Sequence, residues 1–190
     1  MENKLLLLIR NIVSLPAAEE NKLLDICSTA TIKKGESYIQ AGQVPKKFAF
    51  IYEGLFRYLY RDAKGNEYTK NFISENNFIL AYSAMIQQTP SKMYIEALEN
   101  SVVYEIDYSD WLTLKNNHPG WNIFLIALLE KAFMIKENRE RELLLLDAEK
   151  RYEIFKKEFP TLESRVKQHL IASYLGISPV SLSRIKNRTS

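Results

Sequence analysis

The sequence predicts an α+β protein: an antiparallel sandwich or barrel of short strands, a long helix, and a C-terminal helix-turn-helix. Three observations predict it. Residues 31–107 carry aromatic-rich runs of period two between glycines. From Trp121 to about Leu146, apolar side chains recur at three- and four-residue spacing. Gln168 to Asn187 fits a twenty-residue helix-turn-helix frame.

Composition bounds the answer before any element is placed. The 190 residues are 46% hydrophobic and 26% charged, a globular mix that suits one large domain or two small ones and excludes wholesale disorder. The single Cys27 excludes a disulfide framework, a Cys-ligated zinc site and a four-Cys iron–sulfur cluster. The apolar run Leu5 to Ile9 is far too short for a membrane span or a signal-peptide core, and no lipidation motif is present. A soluble, cytoplasmic protein without a membrane partner is expected. The net charge of +3 is unevenly spread. Residues 1–148 carry 17 basic and 19 acidic side chains, whereas residues 149–190 carry 9 and 4. A basic segment that also carries a folding pattern points to a polyanion-binding face.

Taken in order, residues 1–28 read as two helices, with Leu5, Leu8, Ile9 and Ile12 before Pro16 and Leu23, Leu24 and Ile26 after it. Ser14 is the expected cap of the second, with Pro16 in its first turn and Glu19 and Glu20 at its positive end. Strands follow, punctuated by Gly35, Gly42 and Gly54. In LFRYLYRD, Phe56, Tyr58 and Tyr60 alternate with Leu55, Arg57, Leu59 and Arg61, and DAKGNE reads as a hairpin in which Gly65 and Asn66 take positive φ. Two more strands meet at Glu99-Asn100. Ser109 or Asp110 caps a short helix, and Pro119 opens a long one carrying Trp121, Phe124, Leu125, Leu128, Leu129, Ala132 and Ile135. That helix is about 40 Å long. Its stripe either packs on its own sheet or self-associates. Because 40 Å outruns a small barrel, self-association through Leu125, Leu128, Leu129, Ala132 and Ile135 is favoured.

The helix-turn-helix frame makes specific demands. Its fifth position needs a small residue where the helices cross, and holds Ala172; its ninth must tolerate positive φ, and holds Gly176. The wedge positions hold Ile171, Leu175, Ile177, Leu182 and Ile185, so all seven match. Ser178 and Pro179 supply an N-cap and a first helical residue for the second helix. Ser181, Arg184 and Arg188 share one face of it, with Ser183, Lys186 and Asn187 nearby. An Arg there can pair bidentately with guanine, while Lys186 and Arg188 suit phosphates. The expected DNA-binding set is therefore Ser178, Ser181, Ser183, Arg184, Lys186, Asn187 and Arg188.

On KKGESYIQAGQVPKKFAFIYEGLFRYLY and RVKQHLIASYLGISPVSLSRI, the chain resembles the Crp/Fnr family of bacterial transcription regulators over essentially its whole length. The resemblance implies a cyclic nucleotide-binding-like β-roll (a double-stranded β-helix) with N-terminal helices at 1–118, a dimerisation helix at 119–147 and a DNA-binding domain at 148–190. It implies a homodimer reading a pseudo-palindromic duplex, with RNA polymerase and a small-molecule effector as further partners.

The chain departs from the family in two places. Cyclic-AMP-binding members carry a Gly-Glu and an Arg-Ser or Arg-Thr pair that hold ribose and phosphate. Here Leu80-Ala81 and Ser91-Lys92 take those positions, so cyclic AMP is not the expected effector. Phe72, Leu80, Tyr82, Ser83, Lys92 and Tyr94 are the candidate lining of the equivalent cavity, which either holds another small molecule or packs shut. The family's β-hairpin wing after the helix-turn-helix is likewise not expected, and Arg188 or Lys156-Lys157 would be expected to supply part of those phosphate contacts.

Other chemistries lack their residues. Only His118 and His169 exist, and residues 31–107 contain no histidine for a cupin-like metal site. His118, before Pro119, reads as a surface or capping residue, and Cys27 as a buried small hydrophobe. No phosphate loop or nucleophile elbow occurs, so no catalytic residue, metal or bound cofactor is expected. The competing class is a ligand-binding or protein-interaction module whose helix-turn-helix does not read DNA.

Overall fold

The computed structural model describes residues 3–189. Two short helices, α1 (Lys4–Arg10) and α2 (Ala17–Asp25), open the chain. Asn3 caps α1 by accepting from the Leu5 N–H. Pro16 stands one residue outside α2, in the capping position, and Ser14 makes no cap. With no side-chain acceptor there, the Glu19 and Glu20 amides bond to the Pro16 carbonyl instead.

Eight strands follow as β1 (Cys27–Ile32), β2 (Ser37–Ile39), β3 (Lys47–Glu53), β4 (Leu55–Arg61), β5 (Glu67–Ser74), β6 (Phe78–Ile79), β7 (Tyr94–Ala97) and β8 (Ser101–Asp107). They form two four-stranded antiparallel sheets, ordered β1-β8-β3-β6 and β2-β7-β4-β5. Period-two alternation puts Ala49, Ile51, Phe56, Tyr58, Ile95, Ala97 and Val103 between the sheets, where all are buried. The β3–β4 corner needs its glycine. Gly54 has φ +121, and a Cβ there would lie 2.0 Å from Ser101 Oγ. In the β4–β5 hairpin only Gly65 takes positive φ. Asn66 contributes otherwise: its backbone and side-chain N–H groups both donate to the Asp62 carboxylate, a competition that short polar side chains win in turns.

The roll's two outer faces are covered by different bodies. Outside the first sheet, Phe48, Phe50 and Ile106 pack with α1, α2, α4 (Tyr108–Asn117) and the start of α5 (Gly120–Leu145). Trp121 is fully buried there, edge-on to Trp111 and Phe124, and its indole N–H donates to Glu19 at 3.0 Å. The cap of α4 is Asp107, two residues ahead of Ser109 and three ahead of Asp110, the caps expected, and α4 starts directly from the end of β8. Pro119 is the N-cap of α5, and His118 just before it accepts from the Gly120 N–H through Nδ1 at 3.1 Å. Outside the second sheet, Leu55 and Phe72 pack into the C-terminal helices α6 (Ala148–Glu158), α7 (Leu162–Arg165), α8 (Gln168–Leu175) and α9 (Pro179–Thr189). The 26 residues of α5, about 39 Å at 1.5 Å per residue, carry the chain from one outer face to the other.

Candidate nucleic-acid interface and the β-roll

The helix-turn-helix is built as its sequence frame demands. Ala172 is fully buried where α8 meets α9, and Ile171, Leu175, Leu182 and Ile185 are buried around it, with Ile177 half-buried. Gly176 ends α8 with φ +68, and its neighbour Ile177 donates back to the Ala172 carbonyl, a left-handed helix cap. Ser178 starts α9 by accepting from the Ser181 N–H at 3.1 Å.

The exposed face of α9 is rotated from the one expected. Val180, Ser183, Arg184 and Asn187 are all exposed and fall at steps of three, four and seven, one stripe of a helix. Ser181 is half-buried with its hydroxyl 2.9 Å from that of Ser178, so both serve the helix start. Lys186 is held by Glu163 at 2.9 Å, and Arg188 by Glu149 at 3.2 Å. Glu163 sits below the ordinary carboxylate range: burial alone would raise it, and Lys186 and the Tyr152 hydroxyl overcome that. Arg184 makes no ion pair among the described residues. Sequence reading missed Val180, 62% exposed at the start of the stripe. The signal was its spacing to Ser183, Arg184 and Asn187.

The roll does not gather the six cavity candidates around one cavity. Phe72 lies on the outer face of the second sheet, against Phe159 and Tyr174. Tyr94 alternates outward beneath Arg61, leaving Ile95 and Ala97 inward. Leu80 and Tyr82 pack toward the α5 cluster, and Ser83 and Lys92 are exposed. A one-residue change of parity moves a strand side chain to the other face, which is why Tyr94 and Phe72 were misplaced. The interior is occupied by Ile51, Phe56, Tyr58 and Ile95. Tyr58 Oη accepts from the Leu80 N–H at 2.9 Å and donates to the Leu80 carbonyl at 3.3 Å, and Ala81 beside it is 1% exposed. The Leu80 amide is thus engaged by the chain itself. Ser91 is buried and bonded to the Met93 backbone through its hydroxyl.

On α5, Leu125 and Leu128 are half-buried against the chain's own first-sheet cluster, whereas Leu129, Ala132 and Ile135 are exposed. Ile126 and Phe133 are exposed too, seven residues apart on the side where Leu129 lies, with Phe133 64% exposed. Burial pushes the half-buried Cys27 thiol up to about 11, out of the range of a reactive thiolate. Among the described residues, no group of His, Cys, Asp and Glu side chains could hold a metal ion, and no helix is long and apolar enough to cross a membrane.

The described residues thus form a β-roll, a long helix and a helix-turn-helix in that order. Residues 29–118 match the family of the cyclic nucleotide-binding domain, and the whole chain has the fold of Crp/Fnr regulators. FixK2 from Bradyrhizobium japonicum superposes with a TM-score of 0.76 at 15% identity, over 86% of this chain and 84% of that one. The c-di-GMP-responsive global regulator CLP from Xanthomonas campestris gives 0.72 at 14%, over 92% and 91%. A putative Crp/Fnr-family transcriptional regulator from Eubacterium rectale gives 0.70 at 14%, over 92% and 83%. No curated protein matches the chain in sequence.

Proposed function

We propose that the chain is a homodimeric, sequence-specific DNA-binding transcription regulator whose roll does not bind cyclic AMP. The observation that carries this is α9: a capped helix on a well-packed helix-turn-helix, offering Val180, Ser183, Arg184 and Asn187 outward. These types match the chemistry of the major groove. Arg184 suits guanine O6 and N7, Asn187 suits adenine N6 and N7, and Val180 suits the thymine methyl. The description of solved structures with this fold as transcriptional regulators supports the reading. The exposed apolar side of α5 supports pairing with a second copy along Leu129, Phe133 and Ile126. Two copies would set their α9 helices about one helical turn of DNA apart, roughly 34 Å.

A binding selection from random duplexes tests the reading. A pseudo-palindromic consensus is expected, with affinity falling steeply in salt at a log–log slope of about −0.9 per phosphate neutralised. No enrichment, or a flat salt dependence, would instead favour a helix-turn-helix that serves protein contacts.

A further inference from the structure

The C-terminal domain is joined to the roll by more than the α5 backbone. Arg165, at the end of α7, reaches two separate parts of the roll. Its guanidinium donates to Glu75, after β5, at 2.8 and 3.1 Å, and to Glu99, in the β7–β8 turn, at 2.6 and 3.0 Å. Glu75 is itself tied to the β3–β4 corner by accepting from the Gly54 N–H at 3.1 Å. Beside this, Tyr174 of α8 touches all three parts of the molecule. Its ring lies 5.6 Å from that of Phe72 on β5, with the Arg139 guanidinium of α5 stacked at 4.0 Å and Phe155 of α6 at 5.7 Å. Arg139 also donates to the Tyr174 carbonyl. A third contact closes the edge of the sheet. β5 is an edge strand of the second sheet, and its outward Thr69 N–H donates to Ser173 Oγ at 2.9 Å, whose hydroxyl reaches on to the Glu67 carbonyl. The face of α9 stays exposed in this arrangement.

We propose that Arg165, Tyr174 and Ser173 form a latch that docks the helix-turn-helix on its own roll and holds α9 pre-organised for DNA. The latch provides a direct route of coupling beside the long helix. Glu75 and Asn77 lie on the turn that leads into β6, Leu80 and the short helix α3 (Tyr82–Gln87), and Glu75 is one of the two carboxylates gripped by Arg165. A displacement of that turn therefore acts on Arg165 without passing through α5. Opening the latch leaves the reading face intact but its position undefined, so ordering it must be done at the expense of binding. Arg165, Tyr174 and Ser173 are positioning residues, since none belongs to the exposed face of α9.

The Thr69 amide is the reporter, because its protection depends on a side chain of the other domain. In Arg165→Gln, its hydrogen exchange is expected to rise roughly tenfold or more while the Ile51 and Val103 amides of the roll keep theirs. Binding to the selected duplex is expected to weaken several-fold. Glu99→Gln, which leaves the Glu75 arm in place, should give an intermediate rise and decides the matter if Arg165→Gln fails to fold. An unchanged Thr69 exchange in both variants would overturn the latch, and tighter DNA binding on opening would overturn pre-organisation. The DNA arm rests on the proposed function. If the wild-type chain selects no duplex, that reading falls while the Thr69 measurement still judges the latch.

Discussion

Arg184 projects from α9 with no carboxylate paired to it among the described residues, unlike Lys186 and Arg188 on the same helix. Its replacement by Ala is expected to weaken binding to the selected duplex by about 1–3 kcal/mol and to relax preference at one base pair. Competition titrations against single-position variants of the duplex would reveal it, and an unchanged preference would remove Arg184 from the reading set. Lys186→Ala should weaken all sequences alike if it leaves Glu163 to meet phosphate, a difference the same titration resolves. Within the roll, Tyr58 has the corresponding decisive position. Its hydroxyl already satisfies both backbone groups of Leu80, and Ala81 offers no carboxylate for a ribose hydroxyl. Calorimetric titration with cyclic AMP is expected to give no heat of binding, and micromolar affinity would refute the closed roll. The sequence made the substitutions at Leu80 and Ala81 readable, because they are local. It did not make Tyr58 readable as their partner, because that contact spans 22 residues and depends on which face each strand residue takes.

Among the elements, α8, α9 and α5 were the most legible. A helix-turn-helix is specified by side chains within one twenty-residue window, so its wedge, its buried Ala172 and its positive-φ Gly176 could all be read in advance. The face of α9 was less so. The expected stripe through Ser181 and Arg188 ignored that Ser181 serves the helix start and Arg188 reaches Glu149, 39 residues away. On α5 the apolar repeat announced a helix but not how its sides divide between the chain's own core and solvent. Leu125 and Leu128 belong partly to the core formed with Trp121 and Phe124, leaving Ile126, Leu129 and Phe133 outward. If a second copy covers that side, Phe133→Glu should place a charge in the interface and yield monomers. Light scattering coupled to size exclusion would detect the change in mass, and monomeric wild-type protein would count against pairing through α5.

For the whole molecule, acid is the informative perturbation. Burial alone would raise Glu75 and Glu67, but Arg165 with the Gly54 amide, and Arg61 with Arg57, hold both below the ordinary carboxylate range. A carboxylate depressed in the folded state contributes stability that is complete above its unfolded value, about 4.3, and is lost as pH falls through the folded value. These two groups therefore contribute fully at neutral pH. The urea midpoint is expected to hold steady down to about pH 5 and then drop. Arg165→Gln should remove the part of that drop that belongs to Glu75. A midpoint equally acid-sensitive in both proteins would assign it elsewhere, for instance to Glu19 and Glu20 on α2, which are also held low, Glu19 by Lys22 and Trp121 and Glu20 by Arg10. That the two halves press on one another was hidden in the sequence: Arg165 looked like one more member of a basic tail, yet both its partners are acidic residues of the roll.

The seam along β5 has a consequence for how the chain is taken apart. An isolated roll, cut before α6, would present Leu55 and Phe72 to water beside a strand whose outer backbone groups have lost Ser173. Such a bare, partly apolar rim is a template on which further strands can add, so the excised fragment should tend toward oligomers or fibrils. In the intact chain the helix-turn-helix thus also acts as a chaperone in cis for the strand beneath it.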